Sequence, residues 1–289
     1  MKDLILIDFS WLYNKDYFVS SFALSNDIKG TYNEDVESYL YRMLSQFLTR
    51  VETCYLKAKI IIALDSPTST LNNYKIFEGY KQNRNKEIKK EVYSCLDSIL
   101  QKLVKSLKKE SFAFVKAKGY EADQIISYMI KKYHDKYKTI IFSGDKDLIQ
   151  LTAYENVFIS DKFEKGSFIV KTDEELFQKF KNNKGEDFTR ISTNKKDILK
   201  YRVLKGDTSD NLSPVFPRIK DKEIVNIVKD YWIDEEELTE ERINDIIDDI
   251  KGDNPSLALK LEENKKIWLR NYKIMDLFCV DDIKVKRLL

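Results

Sequence analysis

Three short apolar runs along the chain each close on an acid: DLILIDF at 3–9, KIIIALD at 59–65 and TIIFSGD at 139–145. Runs of this length, apolar throughout and rich in Ile, predict strands buried on both faces, as in a parallel sheet. FAFV at 112–115 and VFIS at 157–160 add a fourth and a fifth. Between these runs the apolar period lengthens to that of a helix. Leu40, Leu44, Phe47, Val51 and Tyr55 share one face. So do Ile88, Val92, Leu96, Ile99, Leu103 and Leu107 over 86–109, and Ile125, Ile126, Met129, Ile130 and Tyr133 over 120–133. This alternation predicts an α/β fold with crossover helices. After about residue 195 the strand pattern stops and helices dominate.

Composition narrows the picture. With 289 residues, 43% hydrophobic, and only 8 Gly and 4 Pro, the chain is neither disordered nor collagen-like nor a small disulfide scaffold. Three widely spaced cysteines and a single histidine, His134 in KKYHDKYK, argue against zinc and against Ser-His-Asp or Cys-His catalysis. No run reaches the length of a membrane span, so a soluble, reduced, cytoplasmic protein is expected. The net charge of +2 hides an asymmetry. Residues 75–118 hold 12 bases against five acids, and residues 230–263 hold 13 acids against three bases. Such a split suits a polyanion contacted on one side and repelled from another, although two solvated helical faces would give the same count.

The acids carry the chemistry. Asp8, Asp65 and Asp145 each fall where a strand ends, and ligand sites of open parallel sheets lie at those ends. Glu121 and Asp123 open a helix in YEADQ. Asp145 and Asp147 stand two apart in SGDKD, and Asp207 and Asp210 three apart in KGDTSDN. Single acids of this kind are usually caps or turn residues. Eight together are hard oxygen ligands suited to Mg²⁺ or Mn²⁺. Two such ions suit phosphodiester hydrolysis, activating a water and stabilising the leaving oxygen.

LILIDFSWLY, FEGYKQNR, KGYEADQIISYM, FSGDKDLIQL and VLKGDTSDN occur in that order. Together they resemble the flap endonuclease/5′-nuclease family, which includes the 5′-nuclease domains of bacterial DNA polymerase I, over roughly residues 3–230. The KGD-xx-DN box and the late ENKKIWLRNYKIMDLF segment resemble most the phage ribonuclease H branch. The resemblance implies a PIN/5′-nuclease-like parallel-sheet core over 1–195, with a helical arch at about 81–110, and a helical DNA-binding region over 196–289. It implies two metal clusters, one of Asp8, Asp65, Glu121 and Asp123, the other of Asp145, Asp147, Asp207 and Asp210. It also implies that Asp145 lies near both clusters as a catalytic residue, and that Tyr80 stacks on a base while Lys81 and Arg84 contact the scissile phosphate and assist catalysis. Lys86, Lys89, Lys90, Lys102, Lys105, Lys108 and Lys109 would line or flank the arch and neutralise phosphates without reading sequence.

Two departures stand out. Gln124 replaces an acid that some relatives carry. After Asp210, NLSPVFPRIKDKEIVNIV places Arg218 and Lys220 where many relatives have glycines that grip duplex DNA and a K⁺ ion. That leaves the K⁺ site in question, with Arg218, Lys220 and Lys222 offering side-chain contacts to DNA instead.

The expectation is a monomeric, divalent-metal-dependent 5′-3′ exonuclease or flap endonuclease that removes RNA primers or 5′ flaps in phage-type replication. Its partner would be flapped DNA or an RNA–DNA duplex. The basic IKVKRLL is a candidate dock for a single-strand-binding protein or clamp, with an ordinary helix end as the favoured reading. A PIN-type endoribonuclease is the alternative enzyme, disfavoured by the arch and the KGD-xx-DN box. A non-cutting fork binder is disfavoured by its having no use for eight acids.

Overall fold

In the computed structural model, which describes residues 2–25, 35–84, 95–107, 111–178, 194–233, 236–278, 280 and 283–288, the first apolar run forms β1 (Lys2–Asp8). It lies inside a six-stranded sheet with β2 (Lys59–Leu64), β3 (Phe112–Lys116), β4 (Tyr137–Phe142), β5 (Val157–Ser160) and, at one edge, β8 (Lys286–Arg287). The order is β5–β4–β1–β2–β3–β8. All pairings are parallel except β3 with β8. A short antiparallel hairpin, β6 (Lys162–Glu164) and β7 (Ser167–Ile169), stands apart from the sheet. The five apolar runs are therefore the five parallel strands, each within a few residues of its expected bounds.

Continuous apolar runs are needed because both faces are covered. Ile5 and Ile7 of β1 face one way, and Leu4 and Leu6 the other, all four almost fully buried. On the Ile5 face pack α1 (Phe9–Ser25), α2 (Val36–Cys54) and α4 (Leu96–Ser106), through Leu12, Leu40, Leu44, Ile99 and Leu103. On the Leu4 face packs α5 (Ala122–Tyr133), through Ile125, Ile126 and Ile130. Complete burial of each such side chain contributes roughly 1.5–3 kcal/mol. Between these helices in the chain lies the short α3 (Leu71–Ile76).

The Leu4-face core continues into the C-terminal helices: α7 (Asp197–Lys205), α8 (Asp221–Asn226), α9 (Glu240–Asp253) and α10 (Pro255–Met275). α6 (Asp173–Gln178) precedes them. Trp232 and Trp268 meet edge to face at 5.5 Å within that core. Thr239 and Asn254 cap α9 and α10 with their side-chain oxygens, and Pro255 occupies the first turn of α10. The expected boundary near 195 therefore falls inside one continuous apolar core.

Of the apolar face expected over 86–109, the described part is α4, which packs on the sheet; the rest of the expected arch lies outside the described residues. The structure corrects one expectation. IKVKRLL is not a helix end: Lys286 and Arg287 pair with Lys116 and Val115 of β3.

The topology fixes where a ligand can sit. From β1 the chain adds β2 and β3 on one side, then crosses back to add β4 and β5 on the other. Strand order reverses between β1 and β4. In such sheets the crevice beyond the carboxyl ends at the reversal point is left open.

Candidate active site

Asp8 is the last residue of β1, Asp65 follows β2 directly, and Asp145 lies three residues beyond β4. Three adjacent strands thus deliver three carboxylates to one edge of the sheet. Two of them are held by uncharged donors. Asp8 accepts from the Trp11 amide at 3.1 Å and the Ser143 hydroxyl at 2.9 Å. Asp65 accepts from the Ser10 hydroxyl and the Ala122 amide, both at 2.8 Å. Asp145 accepts from the Asp147 amide at 2.9 Å, and its own amide donates to Ser143 Oγ at 3.0 Å. Gly144, beside it, has no room for a side chain: a Cβ would lie 2.4 Å from Trp11 Nε1.

Glu121 and Asp123 enter at the start of α5. Glu121 and Gln124 form a reciprocal capping box, with Gln124 Oε1 accepting from the Glu121 amide at 3.0 Å. Gln124 thus fixes the helix start.

The remaining acids come from the turn after α7. Gly206, at φ 72°, has space for no other residue, since a Cβ would lie 2.6 Å from the Leu212 carbonyl. Asp207 then caps the tight turn Thr208–Asp210, and Leu212 closes the loop by pairing with Asp207 in both directions at 2.8 Å. The segment 79–84 is stitched onto this loop. The Lys81 amide donates to the Asp210 carbonyl at 3.0 Å, Asn83 to the Thr208 carbonyl at 2.6 Å, and Asn211 to the Gly79 carbonyl at 2.8 Å. FEGYKQNR and KGDTSDN, over 120 residues apart, form one unit.

Charges meet in that unit. Lys81 Nζ forms an ion pair with Glu121 and lies 3.7 Å from Asp210 Oδ2. Arg84 Nη2 bonds Asp210 Oδ1 at 2.7 Å. The Tyr80 hydroxyl reaches Glu121 Oε2 at 2.7 Å and Asp210 Oδ2 at 3.1 Å. Burial alone would lower the Lys81 ammonium, but Glu121, Asp210 and Asp123 outweigh it and the pKa rises. Opposite, Arg202 pairs with Asp147 and Asp207.

Asp8, Asp65, Glu121, Asp123, Asp145 and Asp207 all line one cleft of about 920 Å³, with Lys81, Arg84 and Arg202 among its walls. Asp147 and Asp210 line a small neighbouring cavity with Tyr80 and Asp123. Burial, with Asp145 and Asp65 close by, pushes the Asp8 carboxyl up to about 7. Burial also pushes Asp147 up to about 7, against the pull of Arg202. Asp123 is raised by burial and by Glu121. Asp207 ends below the usual range: burial raises it, but Ser209 and Arg202 outweigh that.

Among the described residues, no three His, Cys, Asp or Glu side chains close into a finished metal shell. The donor chemistry nonetheless fits a hard divalent cation. The acids are all oxygen donors, several are crowded out of their normal ionisation, and such an ion would relieve that crowding.

Tyr80, expected to stack on a base, is 6% exposed and spends its hydroxyl on two carboxylates, so its ring offers no open face. Lys102 pairs with Glu37 of α2 at 2.6 Å, and neither it nor Lys105 lines the cleft. Lys86, Lys89, Lys90, Lys108 and Lys109 lie outside the described residues. Arg218, Lys220 and Lys222 are exposed and away from the cleft walls, with Arg218 at φ 61°, the left-handed conformation that glycine adopts without strain. Sequence reasoning missed Ser10, Ser143 and Arg202. The two serines could have been found, two residues after Asp8 and two before Asp145. Arg202 had no signal to set it apart among 50 basic residues.

Fold and site define an α/β protein with a carboxylate-lined cleft at the switch point of a parallel sheet. Residues 3–183 match the family described as 5′-3′ exonuclease, N-terminal resolvase-like domain, and the chain belongs to that family. Membership places it among hydrolases of phosphodiester bonds. It is 28% identical over 290 residues to a 5′-3′ exonuclease of Aquifex aeolicus, covering 99% of this chain and 88% of that one. The fold is similar to that of a bacteriophage T5 protein co-crystallised with metal ions (TM-score 0.65, 18% identity, 96% of this chain and 90% of that one). It is also similar to a bacteriophage T5 flap endonuclease in a pseudo-enzyme–product complex with DNA and metal ions (TM-score 0.60, 17% identity, 96% and 90%). No described helix is long and apolar enough to cross a membrane.

Proposed function

We propose that this chain is a divalent-metal-dependent 5′ nuclease, cutting phosphodiesters at 5′ ends or flaps of DNA or RNA–DNA during replication, with phage-type primer or flap removal as its setting. The observation that carries this reading is the convergence of Asp8, Asp65 and Asp145 from three adjacent strands onto one cleft that Lys81 and Arg84 also line. Acids alone would repel a phosphate, and cations alone would bind it without cutting. Together they suit a metal-assisted attack on a phosphate held between them. The T5 complex with DNA and metal ions supports the same choice of ligands.

Asp8, Asp65, Glu121, Asp123 and Asp145 would hold Mg²⁺ or Mn²⁺, with Asp147, Asp207 and Asp210 available to a second ion. When bound, the metal supplies an activated water and neutralises developing charge. The chain's own residues do the rest. Ser10, Ser143 and the amides of Trp11 and Ala122 fix the carboxylate directions without consuming their charge. Lys81 and Arg84, which line the cleft beside Glu121 and Asp210, would contact the scissile phosphate and stabilise its added charge. A DNA grip at Arg218, Lys220 and Lys222, and an arch lined by Lys86, Lys89 and Lys90, belong to this proposal as well.

Incubation of a 5′-labelled flap substrate with Mg²⁺, Mn²⁺, Ca²⁺ or EDTA tests it. Cutting is expected with the first two only, because Ca²⁺ tolerates looser geometry. Full activity in EDTA would refute the metal assignment, and stable flap binding without cutting in any metal would favour a fork-binding protein.

A further inference from the structure

One guanidinium nitrogen, Arg202 Nη2, bonds Asp207 Oδ2 at 2.7 Å and also forms an ion pair with Asp147. Two carboxylates from distant parts of the chain thus converge on a single cationic atom. Arg–carboxylate pairs are frequently bidentate, with two parallel bonds from the planar fork to one carboxylate. Here, among the described residues, the buried Nε has no hydrogen-bond partner. Leaving a buried donor unmade costs about 1–3 kcal/mol, so the side chain gives up a bond of its own in order to bridge two acids.

The surroundings hold it in place. Arg202 lies in the last turn of α7, its side chain 11% exposed, just before the Gly206 turn that presents Asp207. Asp207 Oδ1 is committed to the Ser209 amide at 2.8 Å and hydroxyl at 2.6 Å, leaving Oδ2 to Arg202. Among the described residues, Asp147 Oδ1 is buried and meets Arg202 as an ion pair without a hydrogen-bond donor of the neutral kind that holds Asp8 and Asp65. A cation placed between two carboxylates competes with any other cation for them.

We propose that Arg202 is a resident cation of the Asp147–Asp207 pair, and that it weakens the uptake of a divalent ion on this side of the cleft. The inference rests on the metal-dependent nuclease reading. The acids at the strand ends take the first ion unopposed. A second must displace the guanidinium from one carboxylate or share them with it. Arg202 is a positioning residue: it acts on the ion through the acids it holds.

Mn²⁺ titration by calorimetry of the full chain, wild type, R202Q and R202K, decides the matter, together with thermal unfolding in EDTA. Wild type is expected to bind one ion tightly and a second weakly. R202Q should tighten the second step by about tenfold or more, because a unit charge a few ångströms away has been removed, and should lower the melting temperature in EDTA. R202K keeps the charge, so its second step should stay within about threefold of wild type. Should R202Q fold only with metal present, chelator competition from the loaded protein gives the same comparison. An R202Q protein that melts earlier but shows both Mn²⁺ steps unchanged would make Arg202 a structural clip and overturn the inference alone. So would an R202K protein whose second step matches that of R202Q. A wild-type chain that neither binds Mn²⁺ nor cuts would remove the nuclease reading, and the inference with it.

Discussion

The two sides of the cleft hold their acids by different means. Asp8 and Asp65, at the strand ends, are fixed by hydroxyls and backbone amides. Glu121 at the α5 start, Asp147 in the turn after β4, and Asp207 and Asp210 in the turn after α7 each meet a cation as well, Lys81, Arg84 or Arg202. Neutral dipoles orient a carboxylate and leave its charge available. Cations orient it and cancel the charge. The first side is therefore prepared to attract an ion from solution, and the second is balanced without one.

The sharpest way to break this comparison is to neutralise one acid on each side. Asp8→Asn should lower the cutting rate by about 10²–10³-fold or more and leave flap binding nearly intact. Asp207→Asn should cost less, since Arg202 already cancels much of its charge. Equal losses, measured as single-turnover rates at saturating Mg²⁺, would show that the two sides are not distinct.

Lys81→Ala comes next. A contact to the transition state lowers kcat when removed, whereas a uniform binding contact raises KM. A kcat loss on the order of 10²-fold is expected, and a change confined to KM would place Lys81 on the general binding surface. Because Lys81 also shields Glu121, the same variant should bind Mn²⁺ no more weakly than wild type.

A smaller effect concerns pH in the metal-free state. Asp8 and Asp147 are both pushed up to about 7. A carboxyl raised in the folded state favours its neutral form. That contribution is complete below the ordinary carboxylate range and is lost as pH rises through 7. The melting temperature in EDTA should therefore fall between about pH 5 and pH 8, and a divalent ion should flatten the slope. A rising melting temperature in EDTA over that range would mean that the acids are not crowded.

Smallest of all should be Tyr80→Phe. It removes one hydroxyl shared by Glu121 and Asp210 and keeps the buried ring, so a stability loss of about 1–3 kcal/mol is expected in denaturant unfolding. Flap affinity should barely change. A large loss of affinity with stability intact would give the hydroxyl itself, rather than its two carboxylate partners, a part in holding the substrate.

The strands and the strand-end acids were legible because both follow from local pattern. A buried parallel strand has to be apolar throughout, and acids closing three such runs are more than helix caps and turns alone call for. Helix α1 was missed because Phe9–Ser25 mixes apolar and polar residues with no clear stripe. The edge strand Lys286–Arg287 is two residues long and carries no pattern at all. Asp207 and Asp210 were found by motif, but the partners that balance them were not. Arg202 is brought to Asp147 by the packing of α7 against the turn after β4, a contact that no sequence spacing encodes. Tyr80 was misread for the same reason: FEGYKQNR looks like an exposed grip until the loop at 207–211 covers it.

The pairing of β8 with β3 has a consequence for how the protein behaves in solution. Lys286 and Arg287 lie alongside Lys116 and Val115, and the Leu288 amide donates to the Phe114 carbonyl at 2.8 Å. An uncovered edge strand presents a row of free amides and carbonyls on which another chain can build. Two basic residues at the far end of the sequence cover part of that row and add charge to it. Deleting them would leave the cleft and its acids untouched while opening β3 as a template, so the cost would fall on self-association rather than on chemistry.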